Sequence, residues 1–362
     1  MARFLKYGIT TGASAAAAAK AAVIALTGKP VDRVVIPTPI GMRFEIPVKD
    51  SRKLEDGTAV ATVVKNAGED IDVTNGLDIT AAVKLTDDGK ITIKSGEGVG
   101  KVTKLGLQVQ VGEAAINPVP QKMIIDAVKE ALPVGKGAEV TITVPEGAKV
   151  AEKTLNAKLG IVGGISILGT TGVVKPLSLE ACRRSLVPQI DVAVARGYAR
   201  VFFVPGNIGE RITKALFKVP DDQIVQTGDF VGYMLEKAVE KGVKEIVFLG
   251  HSGKMVKLAA GIFNTHYKMG DARNEVVAAY AASEGADNKT VNAILSSNTT
   301  DESTALLTKV NLVRPTYDKI AKRIYARFVE RTQNKIKFNV IIVSMEGKIL
   351  GMDENARGLD RG

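Results

Sequence analysis

The chain has 362 residues, which favours two domains, and its single cysteine, Cys182, excludes an internal disulfide framework and a cysteine-based zinc cluster. Hydrophobic residues make up 45% of the chain, enough to fill a sizeable core, and the lone cysteine fits a cytoplasmic protein. The net charge of +10 is spread along the chain without a long basic run or an aromatic RNA-recognition motif, so we expect no nucleic-acid partner.

The N-terminal segment imitates a secretory signal peptide, because Arg3 and Lys6 precede the apolar run AAAAAKAAVIAL. Lys20 interrupts that run, whereas the apolar region of a signal peptide is uncharged. A Gly-Lys-Pro sequence at residues 28–30 then ends the pattern in the manner of a helix stop. We therefore predict a buried helix here. The chain has no uninterrupted apolar run long enough for a membrane span, and we expect none.

The first half of the chain alternates short strands with turns. Residues 33–48 are typical of two strands around a Pro-Ile-Gly turn, and residues 77–96 of a hairpin built on Asp87-Asp88-Gly89. Residues 121–132 have the periodicity of an amphipathic helix, and residues 138–145 alternate as a strand. We predict an N-terminal α+β domain over residues 1–160, with a mixed sheet and hairpins, as the substrate-binding part.

A glycine-rich segment at residues 96–104 carries Lys101 and Lys104. The glycine spacing predicts a flexible basic loop. Its lysines either clamp an anion or lie on a solvated hairpin, and the pattern leaves both interpretations open.

The second half has a different rhythm, in which continuous apolar strands alternate with helices. The strands are GISILG, ARVFFVPG, QIVQTG and EIVFLG, which begin at residues 164, 199, 223 and 245. This alternation predicts a C-terminal doubly wound α/β domain over residues 161–362, with a mainly parallel sheet. Several helices are expected after Asp271, and residues 336–352 are expected to close the chain as a hairpin.

The sequence GHSGK at residues 250–254 is similar to two catalytic motifs and fits neither. A P-loop needs glycine where Phe248 stands and serine or threonine where Met255 stands. A nucleophile elbow matches Gly250 through Ser252, but it needs a small residue where Lys254 stands. What remains is a glycine-rich turn between a strand and a helix, whose N–H groups favour an anionic or nucleotide-like ligand.

Two such turns follow strands of the predicted sheet, GHSGK and, at the previous strand but one along the chain, PGNIGE at residues 205–210. In a doubly wound sheet they meet at the carboxyl edge, where ligands bind. A nucleotide-like ligand, including S-adenosylmethionine, suits this layout, although the glycines could serve only to make tight turns. The candidate cofactor-binding residues are Gly206, Asn207, Gly209, Glu210, Asp229, Gly250 and Gly253.

The chain has only two histidines, His251 and His266, and they lie fifteen residues apart in this region. The second belongs to GIFNTHYKMGDAR, an unusually polar connection that also contains Asp271 and Arg273. Histidine near aspartate and arginine at a ligand crevice is typical of acid–base or carboxylate-binding roles. The alternative is that both histidines are structural.

Four long segments together resemble the CbiD family of cobalt-precorrin-5B (C1)-methyltransferases, from anaerobic cobalamin biosynthesis. They are YGITTGASAAAAAKAA, GEGVGKVTKLGLQVQVGEAAINPVPQKMI, GISILGTTGVVKPLS and GHSGKMVKLAAGIFNTHYKMGDAR. The resemblance runs from Tyr7 to beyond Arg273 and is weaker after Asn288. Ser14 stands where the family commonly has cysteine, and Ser252 where it has an apolar residue, which argues against an essential thiol or a serine nucleophile.

The resemblance implies a methyltransferase that uses S-adenosylmethionine to methylate C1 of cobalt-precorrin-5B, giving cobalt-precorrin-6A. Cobalt then arrives within the substrate, so no protein metal site is expected. The macrocycle is an anionic tetrapyrrole with many carboxylates, which suits a basic protein. No membrane partner is expected, and a homo-oligomer is compatible with the sequence.

On that basis we predict His251 as the first choice of general base, with His266 or Asp271 second. Lys254, Arg273, Lys101 and Lys104 are predicted to pair with substrate carboxylates. Two other functions remain open: a nucleotide-binding or phosphate-handling enzyme, and a non-catalytic corrinoid-binding protein.

Overall fold

The computed structural model describes residues 5–28 and 30–360. The chain divides into two compact units, Met1–Ser178 and Leu179–Gly362. Arg3 and Lys29, which entered the prediction for the N-terminal segment, lie outside the described residues. Within those residues, no helix combines the length and the apolar character needed to cross a membrane.

The first unit contains four helices and thirteen short strands among its described residues. The helices are α1 (Thr11–Thr27), α2 (Pro118–Lys129), α3 (Gly147–Ala151) and α4 (Asn156–Leu159). The strands are β1 (Gly8–Ile9), β2 (Arg33–Pro37), β3 (Arg43–Pro47), β4 (Asp50–Lys53), β5 (Ala59–Val64), β6 (Asp78–Thr86), β7 (Ile91–Ser95), β8 (Gly98–Val99), β9 (Lys101–Val102), β10 (Gly137–Thr143), β11 (Ile161–Val162), β12 (Gly164–Ile165) and β13 (Val173–Val174).

The main sheet of this unit has the order β4-β5-β6-β10-β7, antiparallel except for the parallel pair β10 and β7. The mixed sheet is therefore confirmed, and so is the β2–β3 hairpin. The predicted hairpin at residues 77–96 is wrong, because β10 lies between β6 and β7. Asp88 does form a turn, accepting from Lys90 N at 3.0 Å. The strands beyond it separate because Val140 pairs with both Val83 and Ile93.

Helix α1 lies at the centre of this unit, as predicted for a buried N-terminal helix. Residues 15–19, all alanine, are fully buried, and the helix packs against α2 and the sheet strands β5 and β6. Alanine has no side chain beyond Cβ, so the helix can lie close to its neighbours on several sides. Thr10 caps its N-terminus by accepting from Ala13 N at 3.1 Å, as a threonine before a helix commonly does.

Residues 98–99 and 101–102 form paired strands, so the predicted flexible loop is wrong. Strand β8 pairs with β12, and β9 pairs with β11. These pairings also attach residues 161–165 to the first unit. The segment GISILG was predicted as a strand of the C-terminal parallel sheet, and that prediction is wrong. The division between units falls after Ser178, later than the expected boundary at residue 160.

Gly98 shows how tightly this region is packed. Its φ is +72°, and a Cβ built there would lie 1.7 Å from the carbonyl oxygen of Val144. Gly135 has a similar φ of +80° with nothing within 4 Å of its Cβ position. We expect Gly98→Ala to lower the free energy of unfolding by more than about 3 kcal/mol, because left-handed strain and a backbone clash add. Gly135→Ala should cost only about 1 kcal/mol. Urea denaturation measures both, and equal losses would contradict the clash.

The second unit follows the chain in regular alternation. Its helices are α5 (Leu179–Leu186), α6 (Pro188–Ala195), α7 (Asn207–Phe217), α8 (Val231–Glu240), α9 (Ser252–Ala259), α10 (Arg273–Ser283), α11 (Asn288–Leu295), α12 (Thr300–Lys309) and α13 (Val313–Thr332). Its strands are β14 (Arg200–Val204), β15 (Ile224–Gln226), β16 (Glu245–His251), β17 (Lys337–Val343) and β18 (Ile349–Met352). Short 3-10 turns cover Asp221–Gln223, Tyr267–Met269 and Asn355–Gly358.

The sheet of the second unit has the order β15-β14-β16-β17-β18, parallel except for β18. Alternate residues of β14 point to opposite faces. Phe202 packs in one core with Ile212 of α7, and Phe203 packs in another with residues of α8, α9 and α13. Helices therefore cover both faces, and the predicted doubly wound, mainly parallel sheet is confirmed. The terminal hairpin is confirmed as β17–β18.

Candidate active site

The connection order of this sheet reverses between β14 and β16, the position at which doubly wound sheets bind ligands. The two glycine-rich turns meet there. A Cβ on Gly250 would lie 3.0 Å from ring atoms of Pro205, so glycine lets the turns approach closely. Lys254, in the first turn of α9, places Nζ 3.5 Å from the Pro205 carbonyl oxygen, a long and weak contact.

A polar cluster lies at the carboxyl edge of the sheet, beside the two turns, and consists of Asp229, Lys254 and Thr265. The Asp229 carboxylate receives the Thr265 hydroxyl at 2.8 Å and lies 3.1 Å from Lys254 Nζ, both at Oδ1. Partial burial would raise the pKa of Asp229, but the hydrogen bonds from Thr265 and Lys254 and the nearby positive charges outweigh it and leave the pKa below its ordinary value. Asp229, predicted to bind the cofactor, is thus an anion paired with Lys254, predicted to bind the substrate.

Lys257 holds the polar connection between α9 and α10 in place. Only 4% of this lysine is exposed, and its Nζ donates to the carbonyl oxygens of Thr265 at 3.3 Å and Gly270 at 2.9 Å. Between these points, His266 caps the 3-10 turn by accepting from Lys268 N at Nδ1. A protonated His266 would add to the positive charge that lowers the pKa of Asp229.

His251 ends β16 and caps α9. Its Nδ1 accepts from Gly253 N at 3.2 Å, and its Nε2 lies 3.1 Å from Asp301 Oδ1. Ser252 is fully buried and donates to Thr300 Oγ1 at 2.9 Å. That hydroxyl does not face solvent, and the histidine Nε2 is directed at a carboxylate, so this geometry does not present a serine nucleophile.

The glycines proposed to bind a cofactor differ in their surroundings. A side chain on Gly206 would meet nothing within 4 Å, whereas one on Gly209 would lie 3.0 Å from Val204 Cβ, and one on Gly253 would lie 3.2 Å from His251 Nδ1. Gly209 and Gly253, like Gly250, therefore serve packing of the chain itself. Gly206 is the position with open space beside it.

Asn207 and Glu210 begin α7 next to that space. Gln226, at the end of β15, donates Nε2 to Asn207 Oδ1 at 2.9 Å and to Glu210 Oε2 at 2.6 Å. These two hydrogen bonds attach the first turn of α7 to β15.

Asp271 and Arg273 bind each other. The arginine donates Nε to Oδ1 at 2.8 Å and a terminal nitrogen to Oδ2 at 2.6 Å. The Arg273 guanidinium lowers the pKa of Asp271 to about 2, despite partial desolvation. The carboxylate therefore holds a proton poorly, which limits it as a general base.

This pair gives a pH-dependent contribution to stability. The folded pKa of Asp271, about 2, lies below the ordinary 3.8, so the ionised carboxylate stabilises the fold above about pH 4, and this contribution is lost as the pH falls toward 2. We expect Asp271→Asn to be less stable than wild type at pH 7, by under about 1 kcal/mol because the pair is exposed. Urea titrations from pH 7 to pH 3 should show the difference shrinking below pH 4. A difference that stays constant would contradict the assignment.

Lys101 and Lys104 belong to the first unit. Lys101 is exposed in β9. Lys104 lays its aliphatic chain over Gly160 and donates Nζ to the carbonyl oxygen of Lys158 at 3.1 Å.

Several polar residues of the second unit were missed from the sequence. Lys257 falls on an amphipathic helix, where lysine usually indicates a solvent-exposed position. Thr300 and Asp301 come from α12, some fifty residues beyond His251. The Thr299 cap and the acidic residues after it predict a helix start, but not its contact with α9. Among the described residues, no cluster of three or more His, Cys, Asp or Glu side chains is placed to hold a metal ion.

Comparisons with known proteins identify the family. The family model CbiD matches residues 1–176, and the model "CbiD, C-terminal domain" matches residues 264–354, which include the helical region of weaker resemblance. A Methanocaldococcus jannaschii protein named cobalt-precorrin-5B C(1)-methyltransferase is 49% identical, over 96% of each chain. A Moorella thermoacetica protein of the same name is 42% identical, over 99% of this chain and 97% of that one.

One solved structure is also similar in sequence, a crystal structure of cobalamin biosynthesis protein CbiD from Archaeoglobus fulgidus. It is 33% identical, with a TM-score of 0.42, over 76% of this chain and 86% of that chain. The two family models and the curated relatives carry the assignment: the chain belongs to the CbiD family and is a methyltransferase.

Proposed function

We propose that this protein transfers the methyl group of S-adenosylmethionine to C1 of cobalt-precorrin-5B, giving cobalt-precorrin-6A in the cytoplasm. One observation carries the proposal. In this member of the CbiD family, a polar cluster lies where the connection order of the sheet reverses between β14 and β16, and it consists of Asp229, Lys254 and Thr265. The relatives' names supply the macrocycle and the position of methylation. The cobalt is part of the substrate.

The turn between β14 and α7 suits the adenosyl group. Gly206 has open space beside it, and the first N–H groups of α7 follow immediately. Asp229 supplies an ionised carboxylate near this turn, a group that commonly binds ribose hydroxyls in such sheets. When bound, S-adenosylmethionine supplies an electrophilic methyl group on a sulfonium.

The chain's part in the reaction is mainly to align two reactants and to exclude water. The bond from C1 to the methyl carbon forms as the sulfur–methyl bond breaks, and the macrocycle then loses a proton. Lys254 and Arg273 are assigned to substrate carboxylates. Lys254 and Arg273 each already bind one aspartate, so they would use their remaining N–H groups.

His251 remains the proposed base, ahead of His266 and Asp271. Both histidines direct Nδ1 at a backbone N–H, so a proton enters that nitrogen only when the cap is released. For His251 the Asp301 carboxylate, 3.1 Å from Nε2, can stabilise the resulting cation.

Calorimetry with S-adenosylmethionine, S-adenosylhomocysteine and ATP tests this proposal. We expect both sulfur ligands to bind and ATP not to bind. Binding of ATP but of neither sulfur ligand would favour a phosphate-handling enzyme. A carrier would bind the macrocycle yet release no S-adenosylhomocysteine when both substrates are mixed.

A further inference from the structure

The hydrogen bonds of His251 determine which ring nitrogen carries the proton. The Gly253 backbone N–H can only donate, so Nδ1, 3.2 Å away, must be the unprotonated acceptor. In the neutral ring the hydrogen then lies on Nε2, which faces Asp301 Oδ1 at 3.1 Å. Ser252 Oγ lies 3.4 Å from the same nitrogen but gives its hydrogen to Thr300 at 2.9 Å. Asp301 is therefore the acceptor for the imidazole N–H.

Asp301 has a defined backbone position, and its side chain is 54% exposed. It lies in the first turn of α12, whose cap, Thr299, accepts from Glu302 N at 3.2 Å. Its neighbour Thr300 is 2% exposed and accepts a hydrogen bond from the Ser252 hydroxyl. This bond connects the N-termini of α12 and α9. One turn further along, Thr304 hydrogen-bonds the buried hydroxyl of Tyr317 on α13 at 2.7 Å.

A positive charge on His251 would be unfavourable without this carboxylate. The residue caps the N-terminus of α9, where the helix dipole disfavours cations, and uptake of a proton at Nδ1 gives up the Gly253 contact. Asp301 opposes both effects. Glu346, in the turn between β17 and β18, is a second carboxylate; it is exposed, and a positive charge on His251 would help to lower its pKa.

We propose that Asp301 is a positioning residue for His251: it fixes the Nε2–H tautomer and stabilises the imidazolium that forms when Nδ1 takes the macrocycle's proton. This inference rests on the proposed function. It assigns a part in the reaction to the helical region between α10 and β17.

Nitrogen-15 NMR of histidine-labelled protein tests the contact without any substrate. The chain has two histidines, so His266, whose Nδ1 is also a cap acceptor, is an internal reference. We expect His251 with Nε2 protonated and Nδ1 unprotonated. Asp301→Ala should shift the His251 Nε2 signal and leave the His266 signals unchanged. A protonated Nδ1 in wild type, or an unaltered His251 signal in Asp301→Ala, would overturn the proposal.

Turnover tests the consequence. We expect Asp301→Ala to lower kcat by about 10- to 100-fold with little change in KM, since the base and not substrate binding is affected. Asp301→Asn, which keeps an acceptor but loses the charge, should fall between it and wild type. Glu302→Gln is the matched control, because this residue is in the same helical turn but bonds Asn298 N instead.

Unchanged kcat in Asp301→Ala, or an equal loss in Glu302→Gln, would overturn the proposal. If wild type transfers no methyl group, the proposed function fails, and the catalytic part of this inference fails with it. The NMR result then still decides whether Asp301 fixes the ring.

Discussion

Asp229→Asn is expected to weaken binding of S-adenosylhomocysteine by about 10- to 100-fold. A hydrogen bond to a charged group contributes about 1.5–3 kcal/mol, and asparagine keeps the shape of the side chain while losing the charge that a ribose hydroxyl would meet. The substitution also leaves Lys254 without its carboxylate partner, 3.1 Å away, at the edge of the sheet. Calorimetry measures the change directly.

Asp221→Asn is the control for this variant. Asp221 lies just before β15, and Asp229 lies just after that strand. Asp221 pairs with Lys214 at 2.8 Å, away from Lys254 and Thr265. Its substitution should leave affinity within about twofold, since surface pairs contribute little. Equal affinities for wild type and Asp229→Asn would remove Asp229 from the cofactor site.

Lys257→Met is expected to lower the free energy of unfolding by about 2–4 kcal/mol and to reduce turnover. The carbonyl oxygens of Thr265 and Gly270 lose their charged donor, and methionine offers none in return; each unsatisfied buried polar group costs about 1–3 kcal/mol. The connection that carries His266 and Asp271 would then be free to move. Urea denaturation and a methyl-transfer assay measure the two effects.

Lys268→Met provides the comparison for Lys257→Met. Lys268 lies in the same connection, but it is exposed, so its loss should change stability by under about 0.5 kcal/mol. If Lys257→Met is as stable as Lys268→Met, then the two carbonyl contacts do not hold this segment.

The fold was predictable wherever local pattern determines structure. Apolar runs ending in glycine identified β14, β15 and β16, because the strands of a parallel sheet covered on both faces are mostly apolar. The hairpin at residues 77–96 failed for the opposite reason. Its turn at Asp88 forms, but β10, some fifty residues later, takes the place between the two strands. This pairing depends on residues far along the chain, so the local alternation of apolar and polar residues does not predict it.

The candidate site shows the same division. Asp229 and His251 could be named in advance, because residues that follow parallel strands meet at one edge of the sheet. Their partners could not. Lys257 has the sequence context of an exposed helical lysine, and Asp301 reaches His251 only through the packing of α12 against α9. Lys101 and Lys104 were predicted as ligands on charge alone, and charge does not specify a contact.

The proposed activity of this protein is methylation of C1 of cobalt-precorrin-5B. Its most direct test is anaerobic incubation of the protein with that macrocycle and S-adenosylmethionine carrying a carbon-13 methyl group, followed by NMR of the product. We predict that the labelled methyl carbon is bonded to C1 and that one S-adenosylhomocysteine is released for each macrocycle methylated. An unlabelled macrocycle, or a label bonded to a different ring carbon, would contradict the claim.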